Sequence, residues 1–387
     1  METVNLAIPA DPERGLPPLL LRPPAERDLD AVSHMYNDPA TARWTLVPHP
    51  FTAWHRDNYL AMVGREWATD TMRWMVTDRT DDTVLGSAAL RVMRRDTAEV
   101  LFTTMPRARH KKVATRACHA MARYAFDRLS VERLSWDAMV GNHLSRLIAL
   151  RLGFRMEGVA RGFGSQRGDR VDMWIAALRP GELRSPVGEP PAGYERTRRR
   201  AMVFVAPQPT LDTEIAGLRL RPLSGDDVDA LYEAGQDAEF ARWTTVPQPY
   251  ERHHAEYFVT GYADAGWRAG TMVTFALADA DDRYCGAIDL RLDDKYPHIA
   301  EVGFNTAPWA RGKGYMTAAV RAVCDFGFKS FDLRRVEWKA FVGNDGSRRV
   351  AEKVGFTMEG TARGEAMNRG ELVDSWFGAM TRDDWIG

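Results

Sequence analysis

The chain has 387 residues, 45% of them apolar and 27% charged, an ordinary balance for a globular protein long enough to bury two or three cores. Its net charge of −1 supplies no field that would draw it to nucleic acid or an anionic membrane, and no apolar run approaches the length that spans a bilayer. Cys118, Cys285 and Cys324 have neither metal nor disulfide spacing, and the opening METVNLAIPADPERG lacks the basic start and apolar core of a signal peptide, so a cytoplasmic protein is expected.

In chain order, a strand at Leu19–Leu21 leads into a helix, a loop with Pro and Trp over Trp44–Phe51, a second helix, and then paired strands. The same plan then returns. Leu21-Arg22-Pro23 recurs as Leu220-Arg221-Pro222, 221 − 22 = 199 positions later, and Ala42-Arg43-Trp44 recurs as Ala241-Arg242-Trp243 at the same offset. Gly86 matches Gly286, and Glu99-Val100 matches Glu301-Val302. Between Ser135–Ala177 and Glu337–Ala379, 22 of 43 aligned positions are identical. A period of about 200 residues is too long for a solenoid and implies two complete domains of one fold. We place them at residues 1–183 and 213–387 and expect them to pack together. The Pro- and Gly-rich start of residues 184–212, followed by an arginine cluster at Arg196–Arg200 and an apolar run at Met202–Val205, reads as a linker with a solvated basic face.

In the second copy, Ser224 and Asp227 form a cap for a helix whose Val228, Leu231 and Tyr232 share one face. The loop Trp243–Tyr250, strands Val273–Ala278 and Ala287–Leu292, and a strand ending at Glu301-Val302-Gly303-Phe304 follow. Antiparallel pairs combined with a helical crossover give a mixed three-layer α/β sheet in each copy. After the strand end, Arg311-Gly312-Lys313-Gly314-Tyr315 opens a helical pattern at Met316-Thr317. A strand that delivers a Gly-rich turn to a helix N-terminus makes an anion site, because unpaired N–H groups and the helix dipole face outward and glycine lets the backbone approach a phosphate. The spacing fits neither a Walker loop nor GxGxxG.

This turn resembles the pyrophosphate loop of the GNAT N-acetyltransferases, whose pattern Gln/Arg-x-x-Gly-x-Gly/Ala here reads Arg311-x-x-Gly314-x-Met316. Downstream, Val342-Gly343-Asn344-Asp345-Gly346-Ser347 and Lys353-Val354-Gly355-Phe356 are similar to the second signature of that family, especially its RimJ/RimL-like branch. The resemblance implies two tandem acyltransferase folds, acetyl-CoA as co-substrate and no metal. It implies acetyl transfer to a primary amine, on a small metabolite or a protein N-terminus. A non-catalytic acyl-CoA sensor or scaffold is the alternative.

The resemblance also implies roles. CoA would be held by Phe304, Asn305 and Thr306, by Arg311, Gly312, Lys313, Gly314, Tyr315, Met316 and Thr317, and by Asn344 along the pantetheine arm. Glu301 would take the ammonium proton and Ser347 would protonate the leaving thiolate. Backbone N–H groups around Phe304–Thr306 would stabilise the oxyanion. Arg242, Trp243, Tyr250 and Asp374 would shape the acceptor site. His253-His254 has no partner at metal-ligand spacing. Where the second copy has Gly312 and Gly314, the first has His110 and Lys112, whose Cβ atoms are expected to obstruct the turn and the approach of a phosphate. The first copy therefore reads as a degenerate partner of a catalytic second copy.

Overall fold

Each sequence copy builds an eight-stranded sheet. The computed structural model describes residues 3–293 and 295–385 and divides into two units, Met1–Glu195 and Arg196–Gly387. In the first unit the strands are β1 (Leu6–Ile8), β2 (Leu19–Arg22), β3 (Thr71–Asp78), β4 (Val84–Arg94), β5 (Thr97–Thr104), β6 (Arg133–Met139), β7 (Arg155–Gln166) and β8 (Asp169–Leu178). Helices α1 (Leu29–Asn37), α2 (Pro39–Trp44) and α3 (Ala53–Ala68) lead from β2 to β3, α4 (Val113–Leu129) crosses from β5 to β6, and α5 (His143–Leu152) follows β6. Helix α6 (Tyr194–Val205) straddles the unit boundary within the segment read as a linker; its Phe204 packs on Trp267 and Phe331, at 4.8 and 5.5 Å between ring centroids. The apolar run Met202–Val205 is thus the end of a helix that plugs the second core.

The second unit repeats the plan with β9 (Leu211–Asp212), β10 (Arg219–Pro222), β11 (Met272–Ala278), β12 (Tyr284–Leu292), β13 (Ile299–Thr306), β14 (Arg335–Phe341), β15 (Thr357–Asn368) and β16 (Glu371–Thr381). Its helices are α7 (Val228–Gly235), α8 (Ala238–Trp243), α9 (Arg252–Tyr257), α10 (Asp264–Ala269), α11 (Tyr315–Ser330) and α12 (Asp345–Val354). The strand orders β1-β2-β3-β4-β5-β6-β8-β7 and β9-β10-β11-β12-β13-β14-β16-β15 are the same topology, and the mixed α/β arrangement expected from the repeat is present twice.

The repeated Leu-Arg-Pro has a physical reason. Arg221 donates to both oxygens of Asp227 at 2.8 Å, and Asp227 also accepts from the Ser224 N–H at 2.9 Å, so one buried carboxylate ties β10 to the start of α7. Arg22 and Asp28 do the same in the first unit at 2.7 and 2.8 Å. Val228 and Leu231 are buried as their shared face predicts, whereas Tyr232 lies at its edge, 36% exposed.

Between α9 and α10 the chain forms a π-turn, Phe258–Ala263. The first unit has an uninterrupted α3 here. His254 matches His55 at an offset of 254 − 55 = 199, whereas Trp267 matches Trp67 at 267 − 67 = 200, so the second copy carries one extra residue that the wider turn absorbs.

Among the described residues, only β5–β6 and β13–β14 run parallel. The second of these ladders pairs Ile299 through Val302 with Arg335 through Trp338 and then stops, although β13 continues to Thr306 and β14 to Phe341. The strands part beyond Val302 and leave a wedge in the middle of the sheet. No helix among the described residues is long and apolar enough to cross a membrane.

Candidate active site

The loop leaving β13 begins with a 3₁₀ turn at Pro308–Ala310, and its Arg311 donates to Asp237 at 2.8 and 3.1 Å. Asp237 caps α8, so the guanidinium clamps the loop to that helix and holds the Asp237 carboxyl below its ordinary range. Gly312 (φ +76°) and Gly314 (φ +78°) both adopt left-handed backbone, and a Cβ on either would meet no protein atom within 4 Å. The ground in front of the turn is therefore open. Gly314 is the residue before α11, whose sixteen residues aim their unpaired first-turn N–H groups and dipole at that space. Met316 is 4% exposed, turned into the core, so it offers only its backbone to that space. Lys313 is exposed, its ammonium 5.6 Å from the Tyr315 ring centroid.

The wedge continues this surface. Ala307 N–H donates to the Cys285 carbonyl at 3.0 Å, and antiparallel pairing alternates, so the N–H groups of Phe304 and Thr306 turn away from β12 toward the wedge. These are the donors a thioester carbonyl or an amide arm would need. On β12 and β13, Leu290 and Val302 point into the core beneath α11, which sends Asp289, Arg291, Glu301, Gly303 and Asn305 to the opposite face.

That opposite face is charged. Arg291 donates to Glu301 at 2.6 Å and lies 2.9 Å from Asp289 Oδ1. The second contact lacks hydrogen-bond geometry, and Asp289 Oδ1 is shut from solvent with no hydrogen bond of its own. Burial pushes the Asp289 carboxyl up to about 6, with Arg291 opposing and Glu301 reinforcing the shift. Tyr262, on the π-turn, is pushed up by burial and then by Asp289, so it faces the same cluster. Lys339 pairs with Glu365 at 2.8 Å, and Arg335 pairs with Glu337 at 2.8 Å and with Glu359 at 2.5 and 2.9 Å. Among these described residues, five carboxylates stand against three cations, an excess of 5 − 3 = 2 negative charges suited to a cationic amine.

A family model for the acetyltransferase (GNAT) domain matches the chain twice, over residues 18–155 and 217–357. The chain belongs to the GNAT acetyltransferase family. Among its relatives, the "Putative ribosomal N-acetyltransferase YdaF" of Bacillus subtilis (strain 168) is 36% identical over 107 residues, which cover 28% of this chain and 58% of YdaF, little more than half of that relative's own length. The L-amino acid N-acetyltransferase AaaT of Escherichia coli (strain K12) is 27% identical over 115 residues, 30% of this chain and 71% of AaaT. Among solved structures, Mycobacterium smegmatis RimJ in complex with CoA-disulfide aligns over 46% of this chain and 90% of its own, at 22% identity and a TM-score of 0.43.

Several residues singled out for this GNAT site have structural partners, and some of these partners recur in the first unit. Asn344 Oδ1 accepts from Ser347 N–H at 3.1 Å as the cap of α12, and Ser347 Oγ accepts from the buried Trp338 indole at 3.0 Å. Asn142, Ser145 and Trp136 repeat this at 3.3 and 3.2 Å. Asp374 accepts from Gly364 N–H at 2.8 Å, and Asp172 from Gly162 N–H at 2.7 Å, each pinning a bulge in the last hairpin. Trp243 donates to Glu239 at 2.8 Å, with the Arg242 guanidinium 4.6 Å from its ring. Tyr250 is buried on Gly235, whose missing Cβ makes room for the ring. Asn305 accepts a 3.4 Å hydrogen bond from the buried Tyr284 hydroxyl.

The first unit corrects one expectation. His110 (φ +61°) and Lys112 (φ +58°) take the same left-handed backbone as the two glycines, and Arg109 pairs with Asp38 as Arg311 does with Asp237. The turn forms without glycine because its Cβ atoms project outward, into the space a ligand would fill, rather than into the protein. Sequence reasoning also passed over Asp289, Arg291 and Tyr262. The first copy has Ala89 opposite Leu101 where the second has Asp289 opposite Gly303, and that difference between copies was the signal.

Proposed function

We propose that the C-terminal unit transfers the acetyl group of acetyl-CoA to a primary amine, on a small metabolite or a protein N-terminus, and that the N-terminal unit is its degenerate partner. The observation that carries this reading is the open ground before Gly312 and Gly314, set at the N-terminus of a long helix and continuous with the wedge. The diphosphate fits the turn, where the N–H groups of Lys313 to Thr317 point outward and Lys313 is exposed. The pantetheine amides fit the unpaired N–H groups of Phe304 and Thr306. The same donors suit the oxyanion that forms when an amine attacks the thioester.

The acidic excess on the acceptor face supports an ammonium-bearing acceptor, and the enzyme name of AaaT makes amino acids natural first candidates. Ser347 keeps its hydroxyl proton, since its oxygen accepts from Trp338, and this proton is available to the leaving thiolate. The three buried thiols suit a reducing cytoplasm. The test is thiol release from acetyl-CoA with a panel of amino-acid amides, polyamines, aminoglycosides and peptides with free α-amino groups. Amine-dependent release supports the reading; CoA binding in calorimetry without release for any amine reduces the protein to a sensor or scaffold.

A further inference from the structure

We propose that Asp289, rather than Glu301, is the carboxylate that receives the acceptor ammonium and takes its proton. This rests on the acetyl-transfer reading above and assigns its proton acceptor.

Register decides between the two carboxylates. Glu301 lies opposite Glu337 within the closed part of the parallel ladder. Asp289 lies opposite Gly303, the first residue of β13 beyond that ladder, at the mouth of the wedge where the thioester would lie. Engagement separates them as well. Glu301 already accepts from Arg291 at 2.6 Å. Asp289 touches the same guanidinium through Oδ1 without hydrogen-bond geometry, and the Gly303 backbone opposes the rise in its pKa, while its side chain keeps 13% exposure.

Gly303 makes the placement possible. A Cβ there would come within 2.9 Å of Asp289 Oδ1 and 2.7 Å of Arg291 Nη1, so any other residue would push these side-chain ends off β13. The first unit, with Ala89 opposite Leu101, has neither the acid nor the gap, whereas it keeps the glutamate and arginine as Glu99 and Arg91. A group confined to the copy with the open loop tracks the chemistry better than one shared by both.

The groups facing Asp289 are Arg291 on its own strand, Glu301 from β13 and Tyr262 from the π-turn; its neighbour on β11 is the uncharged Thr274. Burial holds Asp289 near 6, within reach of accepting a proton at neutral pH. One proton passes from the ammonium to the Asp289 carboxylate. The neutral amine then forms its N–C bond to the thioester carbonyl carbon, the C–S bond breaks, and the proton shed by the nitrogen ends on the CoA thiolate. Asp289 returns its own proton to solvent.

The test is kcat, KM and the pH profile of Asp289→Asn and Glu301→Gln with the panel amine that wild type turns over fastest. Asp289→Asn should lose roughly 10²–10⁴-fold in kcat and the limb of the profile near pH 6, while calorimetric CoA affinity is kept. Glu301→Gln should lose less than about tenfold and retain the limb. Near-wild-type turnover and an unchanged limb in Asp289→Asn, or the full loss in Glu301→Gln, overturns the assignment while acetyl transfer stands. If Asp289→Asn does not fold, Glu301→Gln decides it: a limb near pH 6 that it keeps supports Asp289, and a limb that it loses overturns the assignment. A wild type that acetylates no panel amine removes the reading on which the assignment rests.

Discussion

The two units share a strand order, a clamp arginine and a left-handed turn, yet they differ at the tip of that turn and at two positions of the charged face. In the second, glycines leave open ground; in the first, His110 and Lys112 hold the same backbone at the steric cost of a left-handed non-glycine residue, about 1–2 kcal/mol each. On the acceptor face, Asp289 and Lys339 of the second unit stand where the first has Ala89 and Asp137. Asp137 sits beside Glu99, which burial and that neighbour push up to about 7. Duplication has therefore kept everything that folds the loop and changed what the loop and the face present.

The largest expected effect breaks the comparison at the second loop. Gly314→Asp should fold, since aspartate tolerates left-handed backbone better than most residues, but it sets a carboxylate where the diphosphate would lie. CoA affinity measured by calorimetry should fall at least about 100-fold, roughly 2.7 kcal/mol. Unchanged affinity would detach CoA from this loop. The converse change sharpens the comparison. Wild type should bind one CoA tightly per chain, and His110→Gly combined with Lys112→Gly should add a weaker second site, on the order of tenfold tighter than whatever the first unit binds before the change. Two equal sites in wild type, or no gain in the double variant, would show that the glycines do not decide occupancy.

Most of the fold was legible because a repeat shows its own elements twice: the Leu-Arg-Pro strand and the Asn-Ser cap are each visible as matched residues. The loop's direction followed from strand, turn and helix start alone. What stayed hidden depended on register. Nothing local says that Asp289 comes to lie across from Gly303, or that Arg311 reaches Asp237, 74 residues away. The outward projection of the His110 and Lys112 side chains was equally invisible, since residue type signals the cost of a left-handed turn but not whether neighbours crowd it. The helix at Tyr194–Val205 was masked by the Pro- and Gly-rich run just before it.

A smaller effect tests the face of the first unit. Glu99 is protonated more readily in the fold than in an unfolded chain, because burial beside Asp137 penalises its charge. The folded state binds the extra proton between the ordinary carboxylate range and about 7, so stability falls as pH rises through that window. Glu99→Gln removes the penalty. Calorimetric unfolding of the full chain should show the variant stabilised by on the order of 1–3 kcal/mol at pH 8 and by little at pH 5. A variant destabilised at pH 8 would mean that the Arg91 pair, at 3.1 Å, outweighs the burial cost.

The smallest expected effect asks whether the two cap asparagines still do the same work. Asn344 and Asn142 each accept from the serine N–H three residues on, at 3.1 and 3.3 Å, so Asn344→Ala and Asn142→Ala should each cost about 1 kcal/mol of stability. That loss is common to both and says nothing of a ligand. The carboxamide nitrogen of Asn344, however, is not used by the cap, and it stands at the end of the wedge that the CoA arm would follow. Losing one neutral hydrogen bond to that arm should weaken CoA by about 2–10-fold in Asn344→Ala alone, with Asn142→Ala leaving the tight site untouched. Equal stability losses with unequal CoA affinities would show one residue type holding a fold in one copy and a ligand as well in the other. If CoA affinity is the same in both variants, Asn344 is a helix cap and nothing more, and the wedge holds the arm through the backbone of Phe304 and Thr306 alone.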